Sequence, residues 1–416
     1  MSRHFPTSQT FRGLSASFQF WEQNNSIRSN ALSLFEIFSK LEKKLKGLPR
    51  DSMPLHVVQV RPMGPSFRYT ASCEKHPLLC LSSSTLTQEE DEDLDRVPVP
   101  MEAVIRLESS AQWPDDVDAI RQTKAAFFLR LSKALKEHYN IFSRVSRVSS
   151  DSQQSHMDVC FEGYVFRFWM SQQREFHLLK KQNRLEEFRA VRTQVQHRPH
   201  VTSLLRAVAD QHRVFPETTM LIKTWFATHG LLNVHVNEVL IELVTAYVFC
   251  RKDAASNAPQ DTSAAFLRVL DLLANYDWQG LPLIVDPQSH LKPRHLRFVQ
   301  ESLDRDRTRS VPEYPMYVVA APPTSELKNW GIVDMTQEKP RRHIVPAFSN
   351  ARPSEIILKR IVGLARASLQ VLRGAFESCV DDNEMPTRVA TLFASSTDEY
   401  DMVVRNSSSL LLYVCF

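Results

Sequence analysis

The stretch Glu102–Tyr139, "EAVIRLESSAQWPDDVDAIRQTKAAFFLRLSKALKEHY", decides the fold class. "EAVIRLESS" predicts a strand: Val104 and Ile105 precede Arg106, and Leu107 continues the apolar set. "WPDDVDAIRQTKAAFFLRLSKALKEHY" predicts a long helix. Pro114 suits a first helical turn, and Asp115, Asp116 and Asp118 suit its positive end. Ile120, Ala125, Phe127, Phe128 and Leu131 supply an apolar face.

The pattern extends on both sides. Residues 1–30 are polar and mixed and read as poorly ordered. "ALSLFEIFSKLEKKLKGLP" (31–49) repeats Leu34, Phe38, Leu41 and Leu45 at helical spacing, and Gly47 and Pro49 stop it. In "LHVVQVRPMGPSFRYT" (55–70), Leu55, Val57, Val58 and Val60 predict a short strand and Pro62 to Pro65 a turn. Residues 71–100 are rich in Ser, Thr, Glu and Asp and read as a long loop. Downstream, "SRVSRV" and "HMDVCFEGYVFRFWM" (156–170) are extended, with a turn at Glu162-Gly163. This half is an α+β unit.

After residue 185 the texture is helical. "HVTSLLRAVADQHR", "FPETTMLIKTWFATHGLL" and "NEVLIELVTAYVFCR" carry the 3.6-residue rhythm. "DTSAAFLRVLDLLANYDW" is a further helix capped by Asp261 or Thr262. "LPLIVD" and "YPMYVVAAP" are short extended segments. "QEKPRRHIVPAFSNARP" reads as a linker, "SEIILKRIVGLARASLQVL" as a helix, and a partly extended segment ends the chain.

Composition excludes several functions. The 416 residues are 43% hydrophobic and 24% charged, normal for a globular chain with ample core. A net charge of +4 permits contact with RNA or acidic partners without demanding it. No apolar run approaches the roughly 20 residues that span a bilayer, so no membrane association is expected. The N-terminus lacks the apolar core of a secretory signal. The six cysteines form no CxxC pair, which leaves a zinc knuckle or redox site unsupported and fits a reducing compartment. Nine glycines are about 2% of the chain, against about 7% on average. None forms a GxG, which excludes a dinucleotide fingerprint and a P-loop. Neither GxSxG nor HExxH occurs.

"VIRLESSAQWPDDVDAIRQTKAAFFLRL", "FPETTMLIKTWFATHGLL", "YDWQGLPLIVD", "YPMYVVAAP" and "SEIILKRIVGLARASLQVL" resemble, in order, segments of the nucleolar RNA-associated protein family, also called nucleolar protein 6. "LHVVQVRPMGPSFRYT" is similar to the stretch just upstream. The resemblance covers residues 32 to 405 and corresponds to the C-terminal portion of much longer proteins. It implies an α+β fold in which a nucleotidyltransferase-like mixed α/β domain (31–184, with 71–100 an acidic loop) precedes a mainly helical domain (185–338). That second domain resembles poly(A) polymerases and oligoadenylate synthetases. A linker and a partial third α/β domain (339–416) follow. The resemblance also implies a nucleolar scaffold of the small-subunit processome that acts in pre-rRNA processing and small ribosomal subunit assembly. Its implied partners are precursor RNA and assembly factors, including a casein kinase 2-containing subcomplex.

An active nucleotidyltransferase needs a Gly-Ser turn after its first strand and an Asp-x-Asp on the second, the carboxylates holding two metal ions. Here Gly64 and Ser66 are split by Pro65, which lacks an N–H. The second strand, "EAVIRLESS", offers Glu108 and Arg106; Arg106 would repel Mg²⁺. Asp158 is the candidate third acid. Asp93-Leu94-Asp95, in "EEDEDLDRVP", has the right lettering but lies 29 residues beyond Gly64 in a polar stretch. The expectation is therefore a degenerate site: not an enzyme, with no catalytic residue, metal or cofactor. The alternative is an active template-independent nucleotidyltransferase acting on RNA through Asp93, Asp95 and Asp158.

Trp113 and Trp225 suit base stacking or core packing, and packing is the reading kept. His229 and His235 lack further ligands for a metal. The basic clusters are better candidates for RNA contact. "LKPRHLRFVQESLDRDRTR" sets six basic residues (Lys292, Arg294, Arg297, Arg305, Arg307, Arg309) against three acids, and "KPRRH" adds Arg341 and Arg342. Such patches meet phosphates without reading sequence. Solvated surface is the alternative, as in a helical protein–protein adaptor without RNA contact.

Overall fold

A computed structural model describes residues 25–71, 73, 75, 100–146, 154–251, 257–308, 315–323, 353–377, 389, 391–393, 402–405 and 411–414. The chain divides into two compact units, Asn25–Arg206 and Ala207–Phe416.

The first unit opens with α1 (Asn25–Lys46). Ala31, Leu34, Phe38, Leu41 and Leu45 are buried along one stripe. The helix starts inside the segment expected to be poorly ordered. Once that stripe nucleates it, each added residue gains a hydrogen bond, so helix extends into a polar lead. Strand β1 (Val57–Met63) passes through Pro62 rather than turning there. It is an edge strand, where a missing N–H is tolerated. β2 (Met101–Leu107), α2 (Val117–Tyr139), β3 (Ser143–Val145), β4 (Met157–Phe161) and β5 (Tyr164–Ser171) follow.

Helix α2 begins after Pro114, at the Asp116 cap, whose carboxylate accepts the Ala119 N–H at 2.9 Å. It ends at left-handed Asn140 (φ 51°), whose N–H meets the Leu135 and Lys136 carbonyls. The run 156–170 is a hairpin. Glu162 (φ 46°) and Gly163 (φ 90°) both take the positive φ that a tight two-residue turn requires.

The five strands order β1-β2-β5-β4-β3, with β2 and β5 parallel and the other pairs antiparallel. One sheet face is apolar. Ala103, Ile105, Phe166, Phe168, Met157 and Val159 are fully buried, and Phe38 of α1 packs 5.7 Å from the Phe166 ring. The other face carries polar residues, because strand side chains alternate. Helix α3 (Gln173–Lys181), α4 (Leu185–Arg192), a π turn (Thr193–His197) and α5 (Arg198–Gln211) complete this part of the chain. The division between units falls within α5. The helical texture after residue 185 therefore begins inside the first unit.

The second unit is mainly helical, with α6 (Phe215–Thr228), α7 (Glu238–Cys250), α8 (Thr262–Asn275) and α10 (Glu355–Glu377). Asn237 caps α7, and Asp261, one of the two expected caps, caps α8 by accepting from Ser263 and Ala264. Helix α10 was grouped by sequence with the C-terminal segment. It instead joins this unit: Ser368 accepts the Trp225 indole N–H at 3.2 Å, and Arg366 donates to the Ala274 carbonyl at 3.3 Å. The "LIV" and "VVA" segments form a parallel pair, β6 (Leu283–Val285) and β7 (Val318–Ala320). Between them in sequence, α9 (Pro293–Thr308) contributes Phe298, Val299 and Leu303 to a core with Tyr317 and Val319. β8 (Met402–Arg405) and β9 (Leu411–Val414) pair antiparallel. The linker 337–353 lies outside the described residues except for Pro353.

Candidate functional site

The turn after β1 is where a nucleotidyltransferase would cradle phosphate. Gly64 takes φ 117°, a conformation L side chains rarely adopt. Its N–H is directed to a side chain: Thr202 Oγ1 of α5 accepts it at 3.3 Å and also accepts Arg68 Nη1 at 3.1 Å. The Thr202 hydroxyl itself donates to the Arg198 carbonyl at 2.9 Å. Pro65 offers no donor, and its carbonyl accepts Arg68 and Thr70 N–H groups at 3.0 and 3.1 Å. Ser66 is buried.

The carboxylates beside this turn form a row across the polar sheet face. Register places Met63, Glu102, Arg167, Asp158 and Arg144 side by side on five successive strands. Arg167 grips Asp158 with two bonds of 2.8 Å, from Nε and Nη2. Glu102 pairs with Arg198 and accepts from Trp169 Nε1 at 3.0 Å and Gln194 Nε2 at 3.3 Å. Glu102 and Asp158 are thus two interstrand spacings apart, about 10 Å, with an arginine between them. A two-metal centre holds its ions about 3.5–4 Å apart.

Glu102 is the member of this row that sequence reasoning missed. Its signal is an acid at the head of the "EAVIRLESS" strand, of which sequence reasoning weighs only Arg106 and Glu108. Glu108 lies beyond the end of β2 and accepts the His56 N–H at 3.4 Å. Asp93 and Asp95 lie outside the described residues. Among the described residues no group of three or more acids, histidines and cysteines is placed to hold a metal.

The local field follows from these pairs. The bond to Asp158 raises the Arg167 pKa. Burial, then the Arg167 charge, lowers that of His156, whose ring lies 5.0 Å from Trp169. In the π turn, burial first and then Arg192 and His200 push His197 down from 6.5 to about 4. This fixes a sign. Between those values the unfolded chain binds the proton and the folded chain does not, so stability is present above pH 6.5 and is lost as pH falls toward 4. Unfolding free energy of the first unit should drop by about 2 kcal/mol from pH 7 to pH 5, and His197→Gln should remove that share. Denaturant melts at the two pH values measure it.

The basic patch is only partly within view. Lys292 precedes α9, and Arg294 and Arg297 sit in its first turns; all three are exposed. The helix runs through Arg305 and Arg307, whose side chains lie outside the described residues, as do Arg309, Arg341 and Arg342. Trp113 and Trp225 are both buried, Trp113 5.4 Å from the Phe127 ring. His229 is buried against Trp225 with ring centroids 4.9 Å apart, and His235 is exposed.

Known proteins are similar to this chain in sequence. A family model described as Nrap protein nucleotidyltransferase domain 4 matches residues 11–225, and one described as Nrap protein PAP/OAS1-like domain 5 matches 212–395. Nucleolar protein 6 of Homo sapiens is 27% identical over 412 residues, covering 95% of this chain and 33% of its own length. The protein of the same name from Xenopus laevis is 26% identical over 391 residues, covering 90% and 31%. U3 small nucleolar RNA-associated protein 22 of Schizosaccharomyces pombe is 26% identical over 407 residues, covering 94% and 32%. The chain thus spans about a third of the length of these relatives. Among solved structures, the Cid1 poly(U) polymerase bound to Mg 3'-dATP superposes with TM-score 0.47 at 9% identity, over 93% of this chain and all of that one. With one domain model covering 11–225 and the next 212–395, the chain belongs to the Nrap family.

Proposed function

We propose that this chain is a non-catalytic, nucleotidyltransferase-like part of a nucleolar factor for pre-rRNA processing and small-subunit assembly. The observation that carries the non-catalytic reading is the filled carboxylate row. Arg167 stands between Glu102 and Asp158, and Arg167 and Arg198 neutralise them. A divalent ion there would have to displace two guanidiniums and face the charge of a third, Arg144, in register. The turn supports the same reading, since the Gly64 N–H that could meet a phosphate is directed to Thr202. The nucleolar assignment rests on the Nrap domains and on relatives named nucleolar protein 6 and U3 small nucleolar RNA-associated protein 22.

In this role the fold acts by shape and surface. Lys292, Arg294 and Arg297 provide a sequence-independent contact for precursor RNA. Protein partners are assembly factors of the small-subunit processome, including a casein kinase 2-containing subcomplex.

Primer extension tests the catalytic question. Purified protein, an RNA primer, labelled nucleoside triphosphates and Mg²⁺ or Mn²⁺ should give no added nucleotide. Metal-dependent extension that disappears on Asp158→Asn would overturn the reading and favour an active transferase.

A further inference from the structure

The same sheet face carries a second feature beyond the carboxylate row. One step from Glu102, register aligns Arg61, Val104 and Trp169 on β1, β2 and β5; the Trp169 ring lies 5.0 Å from that of His156, just before β4. One step further it aligns Gln59, Arg106 and Ser171. Arg61 and Arg106 are therefore diagonal neighbours on adjacent strands, about 7–8 Å apart at most between Cβ atoms. Burial, and then the Arg106 charge, lower the Arg61 pKa, so the two guanidiniums repel. Among the described residues neither guanidinium has a hydrogen bond or ion pair. Glu108, next along the same face, is turned to the His56 backbone. Arg106 is exposed, while Arg61, Trp169 and Ser171 are half-buried.

Elsewhere on this face the arginines are consumed: Arg167 by Asp158 and Arg198 by Glu102. A like-charged pair to which no described residue offers a carboxylate is a ready place for a bound anion. Beside it stand two rings. Trp169 has its indole N–H anchored on Glu102, which fixes the ring plane, and burial, then the Arg167 charge, lowers the pKa of His156.

We infer that this end of the sheet binds single-stranded RNA, with Arg61 and Arg106 on the phosphodiester backbone and Trp169 stacking a base. A sheet face with an aromatic beside two guanidiniums meets both requirements of single-strand recognition, a charged track and a stacking platform. An acidic peptide would use the arginines but leave the indole idle. The site is distinct from Lys292, Arg294 and Arg297, and it does not depend on the absence of catalysis.

Fluorescence anisotropy of a labelled single-stranded RNA with the purified chain tests it across a salt series. Each phosphate contact in a single strand contributes about −0.7 to the slope of log affinity against log salt. Arg61→Gln with Arg106→Gln should flatten the slope by about 1.4 and weaken binding about tenfold or more. Trp169→Phe should remove most of the fluorescence quench that RNA produces. The arginine double variant should melt at or above the parent temperature, since it removes a repulsion, so lost binding cannot be traced to unfolding. The same flattening should persist in a Lys292→Gln, Arg294→Gln, Arg297→Gln background, which separates this face from the helical patch. Unchanged slope and affinity in the double variant, or a quench indifferent to Trp169→Phe, overturns the assignment. So does loss of poly-glutamate binding with RNA binding intact, which would point to an acidic protein partner.

Discussion

Glu175→Ala should cost the first unit about 3–5 kcal/mol of unfolding free energy, among the largest effects of any single substitution in the protein. Glu175 is fully buried in the first turn of α3, and Lys124 of α2 is almost as deeply buried opposite it. Lys124 Nζ donates to one carboxylate oxygen, while Gln154 Nε2 donates to the other at 2.9 Å. Arg121 Nε stands 3.8 Å away and its Nη2 donates to Glu187 at 2.7 Å. Truncating Glu175 strands an ammonium that burial already pushes down in pKa. The pair itself contributes little net stability against an apolar pair of the same size, because desolvation offsets the attraction. Lys124→Met combined with Glu175→Leu should therefore recover most of the loss. Denaturant melts of the single and double variants measure this, and equal losses in both would show that the stranded charge is not the cause.

Trp225→Ala should destabilise the second unit by about 3–5 kcal/mol, the cost of a large cavity. Trp225 is fully buried in α6, edge-on to Phe226 at 5.1 Å and to His229 at 4.9 Å, with its N–H on Ser368 of α10. Removing the ring opens the seam between α6 and α10 and orphans the Ser368 partner. Hydrogen exchange on α6 and α10 should rise together, while RNA affinity of the folded fraction should stay at the parent value. A drop in RNA affinity without a change in exchange would return Trp225 to the role of a stacking residue.

These two sites mark what sequence reading sees and misses. Periodicity placed Trp225 on the apolar stripe of a helix, and packing was the correct expectation. Periodicity cannot place Lys124 or Glu175 inside, because charged residues are rarely buried unless paired. Their partners are 51 positions apart, and only the packing of α2 against α3 brings them together. The same limit applies at the candidate site. The weakness of the Gly64-Pro65-Ser66 turn was legible, since proline lacks a donor wherever it sits. The role of Thr202 was not, because it reaches the turn from 138 residues away.

The sequence by itself determined the main strands and most of the long helices, the Asp261 cap, the Glu162-Gly163 hairpin turn and the resemblance to the Nrap family, because each depends on local rhythm or on ordered local segments. Pairing across the sheet was left to tertiary structure. Register alone set Arg167 between Glu102 and Asp158, and set Arg61 diagonal to Arg106. Charges on separate strands acquire neighbours only when the strands align, and alignment is fixed by the apolar face on the opposite side of the sheet.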